Sequence, residues 1–180
     1  MRQESVQLDV RSPEGNRRLR ALVDRADVLV QNLAPGAADR LGIGSERLAG
    51  ERPELITCDI SGYGGTGPYR ERKAYDLLVQ AEAGLLAITG TPETPSKVGL
   101  SIADICAGTY AYSGILTALL ERTRTGRGVR LEVSMLEALG EGWGTPSTSR
   151  ATAGPLRLVP EPATQRSPPT GRSPPVTGRA

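Results

Sequence analysis

Three short apolar runs alternate with helical patterns along most of the chain, and this alternation constrains the fold more than any other feature. Each run has the length and composition of a buried strand, at residues 28–30, 55–60 and 129–133. The first predicted helix begins at Ser12-Pro13-Glu14, and the last follows Ser134. Between them, helices are predicted at residues 37–41, 45–50, 75–83 and about 101–123. Strands that alternate with helices predict an α/β fold with a mostly parallel sheet.

Helical periodicity also predicts which side chains face the core. In the helix at residues 75–83 the apolar side is expected to be Leu77, Leu78 and Ala81. The predicted buried positions of the long helix are Ile105, Tyr112, Ile115, Leu116 and Leu119. Gly126 and Gly128 are expected to end this helix, because glycine adopts the left-handed C-terminal conformation at little cost.

Residues 146–180 differ in composition from residues 1–145, which we take as one domain. They hold eight of the fourteen prolines, few apolar residues and a near-repeat of Arg-Ser-Pro-Pro-Thr-Gly-Arg. A segment that buries so little apolar surface is predicted to be a disordered, low-complexity tail. Three interpretations stay open: a proline-rich ligand, a tail that binds anionic surfaces, or non-native sequence after a frameshift or truncation.

Composition excludes several classes of function. The chain has no histidine, which removes Ser-His-Asp and Cys-His triads and histidine-based metal sites. Residues 1–145 carry 17 basic and 19 acidic side chains, so no nucleic-acid footprint is expected there. Cys58 and Cys106 lack the spacing of a zinc or disulfide motif, and no metal site is predicted. Without a long apolar run or signal segment, we expect a soluble cytoplasmic protein with no membrane partner.

The run Gly62-Tyr63-Gly64-Gly65-Thr66-Gly67 satisfies the G-x-G-x-x-G pattern of dinucleotide-binding proteins. In such a site a helix opens inside the motif and holds the pyrophosphate at its N-terminus. Here Pro68 follows the last glycine, and residues 69–73 show no helical period. A dinucleotide-binding oxidoreductase is therefore only a minor alternative.

Asp104 is the candidate for covalent chemistry, because an apolar stretch leads it into the first turn of the long helix. The positive end of a helix dipole favours an ionised carboxylate, which can attack an activated acyl group. A plain helix-stabilising acid is the alternative, although Ser101 could cap the same helix.

A polar cluster, Arg72, Lys73, Tyr75 and Asp76, precedes another helix. It could bind phosphate and a reacting oxygen, or simply be a solvated loop. Residues 32–36 follow a predicted strand, where ligands bind in open α/β sheets, or form a plain turn.

Taken together, these segments resemble CoA-transferase family III over about residues 5–139. Residues 5–15 resemble the family stretch SVALDLKSPEG, and residues 26–36 resemble ADVLVENFRPG. Further matches follow in order at Leu41-Gly42, Ile60-Ser61-Gly62-Tyr63-Gly64, Gly67-Pro68-Tyr69, Ala74-Tyr75-Asp76, Ala103-Asp104 and Thr125-Gly126-Arg127-Gly128. The resemblance implies a partial, Rossmann-like large domain in a truncated member of the family.

The resemblance also implies a site. Asp104 falls on the aspartate that forms acyl anhydride and aspartyl-CoA thioester intermediates in these enzymes. Coenzyme A is a substrate there and no cofactor is bound permanently. The implied coenzyme A contacts are Leu8, Asp9, Val10, Arg11, Asn32, Leu33, Ala34, Arg40, Arg72, Lys73, Ala74, Tyr75 and Asp76. Leu33 and Ala34 depart from the usual aromatic-and-basic pair of the family.

The family also includes α-methylacyl-CoA racemases, which use a histidine in the segment that matches Ala74-Tyr75-Asp76. Tyr75 is a poor base at neutral pH because an unperturbed tyrosine has a pKa of about 10, so a transferase is preferred. Family members are longer, with a strand and loop ahead of residue 5, a glycine-rich substrate loop and a smaller second domain. They form interlocked homodimers. An inactive coenzyme A-binding or dimerisation remnant is therefore the main alternative to a CoA-transferase.

Overall fold

The three apolar runs form one parallel sheet in the computed structural model, which describes residues 3–141. The strands are β1 (Val28–Gln31), β2 (Ile56–Ser61) and β3 (Arg130–Ser134), in the order β1-β2-β3. Val30 pairs with Cys58, which in turn pairs with Leu131. The predicted α/β class is confirmed, and the carboxyl ends of the strands meet at one edge of the sheet.

Helices form where the sequence predicts them. They are α1 (Pro13–Val23), α2 (Ala37–Arg40), α3 (Ser45–Glu51), α4 (Asp76–Glu82), α5 (Ile102–Thr125) and α6 (Met135–Gly140), with a 3₁₀ turn at Leu85–Ala87. The Ser12 hydroxyl caps α1 by accepting from the Gly15 amide at 3.0 Å. The Ser134 hydroxyl likewise accepts from the amide of Glu137 in α6. Gly126, with φ of 69°, closes α5.

Two clusters of buried apolar residues pack the helices of this fold. One contains Val23, Ile43, Leu48 and Leu55, and it packs α1 and α3 against the sheet. The other joins α4, α5 and α6 through Val79, Ala103 and Leu139. The second cluster lies directly behind the start of α5, so it fixes the part of the helix that carries Asp104.

The predicted apolar face of α4 is wrong. Leu77 and Leu78 are exposed, whereas Val79 and Gln80 are fully buried. The helix is turned so that a polar side chain, Gln80, faces the start of α5, where it finds hydrogen-bond partners. Hydrophobic periodicity alone therefore selected the wrong side of this helix.

The predicted core face of α5 is also largely wrong. Ile105, Tyr112 and Leu116 are about half exposed or more, and the buried positions are instead four alanines at 103, 107, 111 and 118. Small side chains let the helix backbone lie close to β2 and β3. A Cβ at Gly114 would already be 3.4 Å from a methyl carbon of Leu131. This distance is the lower end of ordinary van der Waals contact, so the helix backbone lies close to β3 at this point.

By length and composition alone α5 could also cross a membrane, since an 18-residue window of it has a mean hydropathy of 1.2. Core helices of soluble proteins meet the same criterion, but they are mostly buried, whereas 22% of this window is buried. Within residues 3–141, α5 is the one helix that meets the criterion. The expectation that the protein has no membrane partner therefore stays a prediction. The predicted tail at residues 146–180 lies outside the described residues, and so does the domain boundary at residue 145.

Candidate active site

A groove of about 970 Å³ opens where the carboxyl ends of β1 and β2 face the start of α5. The loop at residues 70–75 forms one of its walls. Nine of the predicted site residues line it: Asn32, Leu33, Ala34, Arg72, Lys73, Ala74, Tyr75, Asp76 and Asp104. Segments that are far apart in the sequence thus meet at the edge of the sheet where ligands bind in open α/β folds.

A second cavity of about 920 Å³ gathers three more predicted residues. Val10, Arg11 and Arg40 line it, together with Arg47, which the sequence did not single out. Asp39 lines both this cavity and the groove, so the two spaces adjoin. Twelve of the fourteen predicted residues consequently lie along one extended surface.

Leu8 and Asp9 line neither space. The main-chain carbonyl of Asp9 accepts from the Ser12 amide at 3.0 Å and from the Ser12 hydroxyl at 2.8 Å. Its carboxylate accepts from the Arg11 amide at 3.1 Å. Asp9 therefore shapes the turn into α1, and a Cβ at Gly15 would lie 2.0 Å from its carbonyl oxygen.

Asp104 occupies the first turn of α5 and its side chain is exposed to the groove. Among residues 3–141 its carboxylate has no hydrogen-bond or ion-pair partner. An exposed carboxylate without partners needs no bond broken before it reacts. This geometry suits a nucleophile as well as it suits a surface acid.

The N-terminus of α5 is capped from α4. The Asp76 carboxylate accepts from the amide of Ala103 at 2.8 Å and from that of Asp104 at 3.3 Å. Ser101 occupies the N-cap position but makes no side-chain capping bond, so the expectation that it caps this helix is wrong. The cap comes from a residue 27 positions earlier, which helix-capping rules based on adjacent residues do not find.

The cations of the groove wall differ in their partners. Arg72 lies 3.8 Å over the ring centre of Tyr69 and pairs with Glu82 at 3.5 Å. The rings of Tyr69 and Tyr63 form a T-shaped pair with their centres 5.4 Å apart. Burial raises the pKa of the Tyr63 phenol. Lys73 has no ion-pair partner within the described residues. Arg72 thus contacts two neighbouring side chains, whereas Lys73 makes no such ion pair within residues 3–141.

The glycine-rich loop is a turn and not a dinucleotide site. After β2 ends at Ser61, the next helix is α4, which begins at Asp76, so no helix opens inside the motif. Gly64 and Gly67 have φ values of 83° and 81°, which other residues rarely adopt. The amide of Gly65 donates to the Glu132 carboxylate, which fixes the loop to β3.

A polar network that the sequence analysis missed lies on the floor of the groove. The Asp59 carboxylate accepts from Gln31 Nε2 at 3.0 Å, Ser45 Oγ at 2.7 Å and Arg130 Nε at 3.1 Å. Gln31 Oε1 accepts from the amide of Leu33 at 2.7 Å. The network holds the loop after β1 in place. The available signal was a charged residue, Asp59, inside a strand whose first half is buried.

Known proteins resemble this chain in sequence and structure. The sequence model of CoA-transferase family III matches residues 2–170. The acetyl-CoA:oxalate CoA-transferase of Acetobacter aceti is 43% identical over 137 residues, which are 74% of this chain and 35% of that protein. The succinyl-CoA–D-citramalate CoA-transferase of Chloroflexus aurantiacus is 37% identical, over 76% of this chain and 34% of that protein.

The crystal structure of a CAIB/BAIF family protein from Brucella suis superposes with a TM-score of 0.79 at 35% identity. The match covers 85% of this chain and 41% of that chain. The chain spans about a third of the length of the curated relatives it matches.

Proposed function

Because this chain belongs to CoA-transferase family III, we propose that it acts in moving coenzyme A from an acyl-CoA to a carboxylic acid, with Asp104 as the acyl-accepting residue. The observation that carries this proposal is the Asp104 carboxylate. It is exposed in the groove that also holds Arg72 and Lys73, and it has no partner among residues 3–141. Relatives that share this family are named as CoA-transferases of oxalate, citramalate and glutarate.

The reaction proceeds by exchange at carbonyl carbons. The Asp104 carboxylate attacks the thioester carbonyl and expels coenzyme A thiolate, which gives a mixed anhydride. The thiolate then attacks the aspartyl carbonyl, releases the donor carboxylate and forms an aspartyl thioester. The acceptor carboxylate displaces the thiolate to form a second anhydride. Attack by the thiolate on the acceptor's acyl carbon yields the new acyl-CoA and frees Asp104.

The second cavity is the part of this surface that suits anionic groups. Three arginines and one acid line it, whereas seven carboxylates and four cations line the groove. Arg11, Arg40 and Lys73 have no ion-pair partners among residues 3–141, whereas Arg20 and Arg47 are paired with Glu51. Cations without partners are available for phosphate oxygens. We assign the phosphates of coenzyme A to the cavity at Arg11 and Arg40, and the thioester to the groove at Asp104.

The test is intact-mass analysis of the full chain after incubation with a panel of short acyl-CoAs and hydroxylamine. Hydroxylamine converts an activated aspartyl group into a stable hydroxamate. We expect this adduct in the native chain and in the control Glu121→Gln, whose site is exposed and distant along α5. The Asp104→Asn variant is expected to form none. A folded native chain without any adduct would refute transferase chemistry in this chain.

A second candidate is a coenzyme A-binding protein that pairs with a copy of itself without turnover. The exposed apolar side chains of α5, among them Tyr112, Leu116 and Leu120, favour it, since such a face is usually covered by another surface. Coenzyme A binding measured by calorimetry, together with a dimer mass by light scattering and no adduct, would select this candidate.

A further inference from the structure

Two polar side chains of α4 point at the start of α5 from positions one helical turn apart. Asp76 Oδ1 accepts from the amides of Ala103 and Asp104, at 2.8 and 3.3 Å. Asp76 Oδ2 accepts from Gln80 Nε2 at 2.5 Å. Both carboxylate oxygens therefore already have protein partners.

Gln80 is fully buried, and both the nitrogen and the oxygen of its amide group are hydrogen-bonded. Its Nε2 also donates to the carbonyl of Leu100 at 3.3 Å, and its Oε1 accepts from the amide of Val98 at 3.0 Å. Gln80 thus fixes the segment that leads into α5 while it orients Asp76. A buried amide whose nitrogen and oxygen are both hydrogen-bonded favours one geometry.

The first turn of α5 depends on this pair. The leading amides of a helix have no partner within the helix, and here no side chain at the N-cap position supplies one. Asp76 provides that partner, and its carboxylate also accepts a hydrogen bond from the amide of Asp104. The Asp104 carboxylate consequently has no need to fold back on its own helix and stays free in the groove.

We propose that Asp76 is a positioning residue for Asp104, held in place by Gln80, and that it acts through the backbone of α5 and not by contact with coenzyme A. This inference rests on the proposed function of Asp104 as acyl acceptor. It departs from the role that the family resemblance implies for Asp76, because both of its oxygens are engaged with protein donors.

The test compares Asp76→Ala, which removes the capping oxygens, with Asp76→Asn, which keeps one of them, and uses Glu121→Gln as control. Three quantities are measured on the full chain: hydrogen exchange of the Ala103 and Asp104 amides, coenzyme A affinity, and the rate of hydroxamate formation. For Asp76→Ala we expect exchange at both amides to rise and the adduct rate to fall, each about tenfold, as for loss of a charge-assisted cap.

We expect coenzyme A affinity to change by less than about twofold. Loss of a hydrogen bond between Asp76 and coenzyme A would lower the affinity by more than that. Asp76→Asn should recover part of the adduct rate, which a general loss of stability would not allow. If Asp76→Ala does not fold, Asp76→Asn carries the same comparison at smaller amplitude.

A large loss of coenzyme A affinity with unchanged amide exchange would overturn the proposal, because Asp76 would then be a ligand contact. Unchanged exchange and unchanged adduct rate would overturn it too. A native chain that forms no adduct refutes the proposed function instead. In that case, faster amide exchange at Ala103 and Asp104 in Asp76→Ala would still show that Asp76 caps α5. The proposed role of Asp76 in positioning a reactive Asp104 would be refuted together with the proposed function.

Discussion

Gly62 is the position where one added methyl group should disturb the groove most directly. It follows β2, and a Cβ built on it would lie 2.0 Å from the Cβ of Ala74. Carbon atoms pack best at about 3.5–4.0 Å, so in Gly62→Ala the two segments must separate by roughly 1.5–2 Å. Ala74 lies between Lys73 and Tyr75 in the groove wall, so the wall itself has to move.

We expect Gly62→Ala to lower the free energy of unfolding by about 1–3 kcal/mol, the usual cost of overpacking. The assay is urea denaturation of the full chain, followed by circular dichroism. Gly50→Ala, in α3, is the matched control. Apart from its chain neighbours and the backbone of its own helix, no atom of residues 3–141 lies within 4 Å of an added Cβ. Alanine in a helix is favoured over glycine by about 0.5–1 kcal/mol, so this control should be slightly stabilised.

The double variant Gly62→Ala with Ala74→Gly decides whether the contact is the cause. Removing the Ala74 methyl group makes room for the new one, so the double variant should be no less stable than Ala74→Gly alone. The two substitutions should therefore be coupled by about 1–3 kcal/mol. Additive effects of the two substitutions would refute the reasoning, since the predicted clash would then not exist.

Two further predictions concern the core and the thiols. Leu48→Ala is expected to lower the free energy of unfolding by about 2–5 kcal/mol, because Leu48 is fully buried, whereas Leu120→Ala on the exposed face of α5 should change it by less than about 0.5 kcal/mol. Equal effects in urea denaturation would contradict this. Iodoacetamide at pH 8 should modify Cys106 well before Cys58, which is buried and whose thiol pKa is raised by burial and then by Asp59. Mass spectrometry that finds Cys58 modified first in the folded chain would contradict the described core.

Local chemistry explains why so much of the fold could be predicted from the sequence. Ser12 and Ser134 cap α1 and α6, and Gly126 closes α5, because each of these signals acts on its own neighbours in the chain. The parallel order of the strands then brings Asn32 and Asp104 to one edge of the sheet. The residues alone offered positions 32–36 and Asp104 as separate candidates, and the family resemblance joined them in one site.

The parts that the sequence did not predict all depend on distant contacts. The buried face of α5 consists of alanines, whose weak hydrophobic signal is hidden by larger exposed neighbours such as Tyr112. The cap on α5 comes from Asp76, which no rule of local spacing connects to Ala103. Gln80 is polar and fully buried, and its burial could not be predicted without knowing its hydrogen-bond partners.

The most direct test of the central claim is to find which aspartate carries the trapped acyl chemistry. Asp76 and Asp104 both line the groove, and each would give the same change in intact mass. We would digest the hydroxylamine-treated chain and sequence the peptides by tandem mass spectrometry. The account predicts a hydroxamate at Asp104 and an unmodified Asp76. A hydroxamate at Asp76, with Asp104 unmodified, would contradict it.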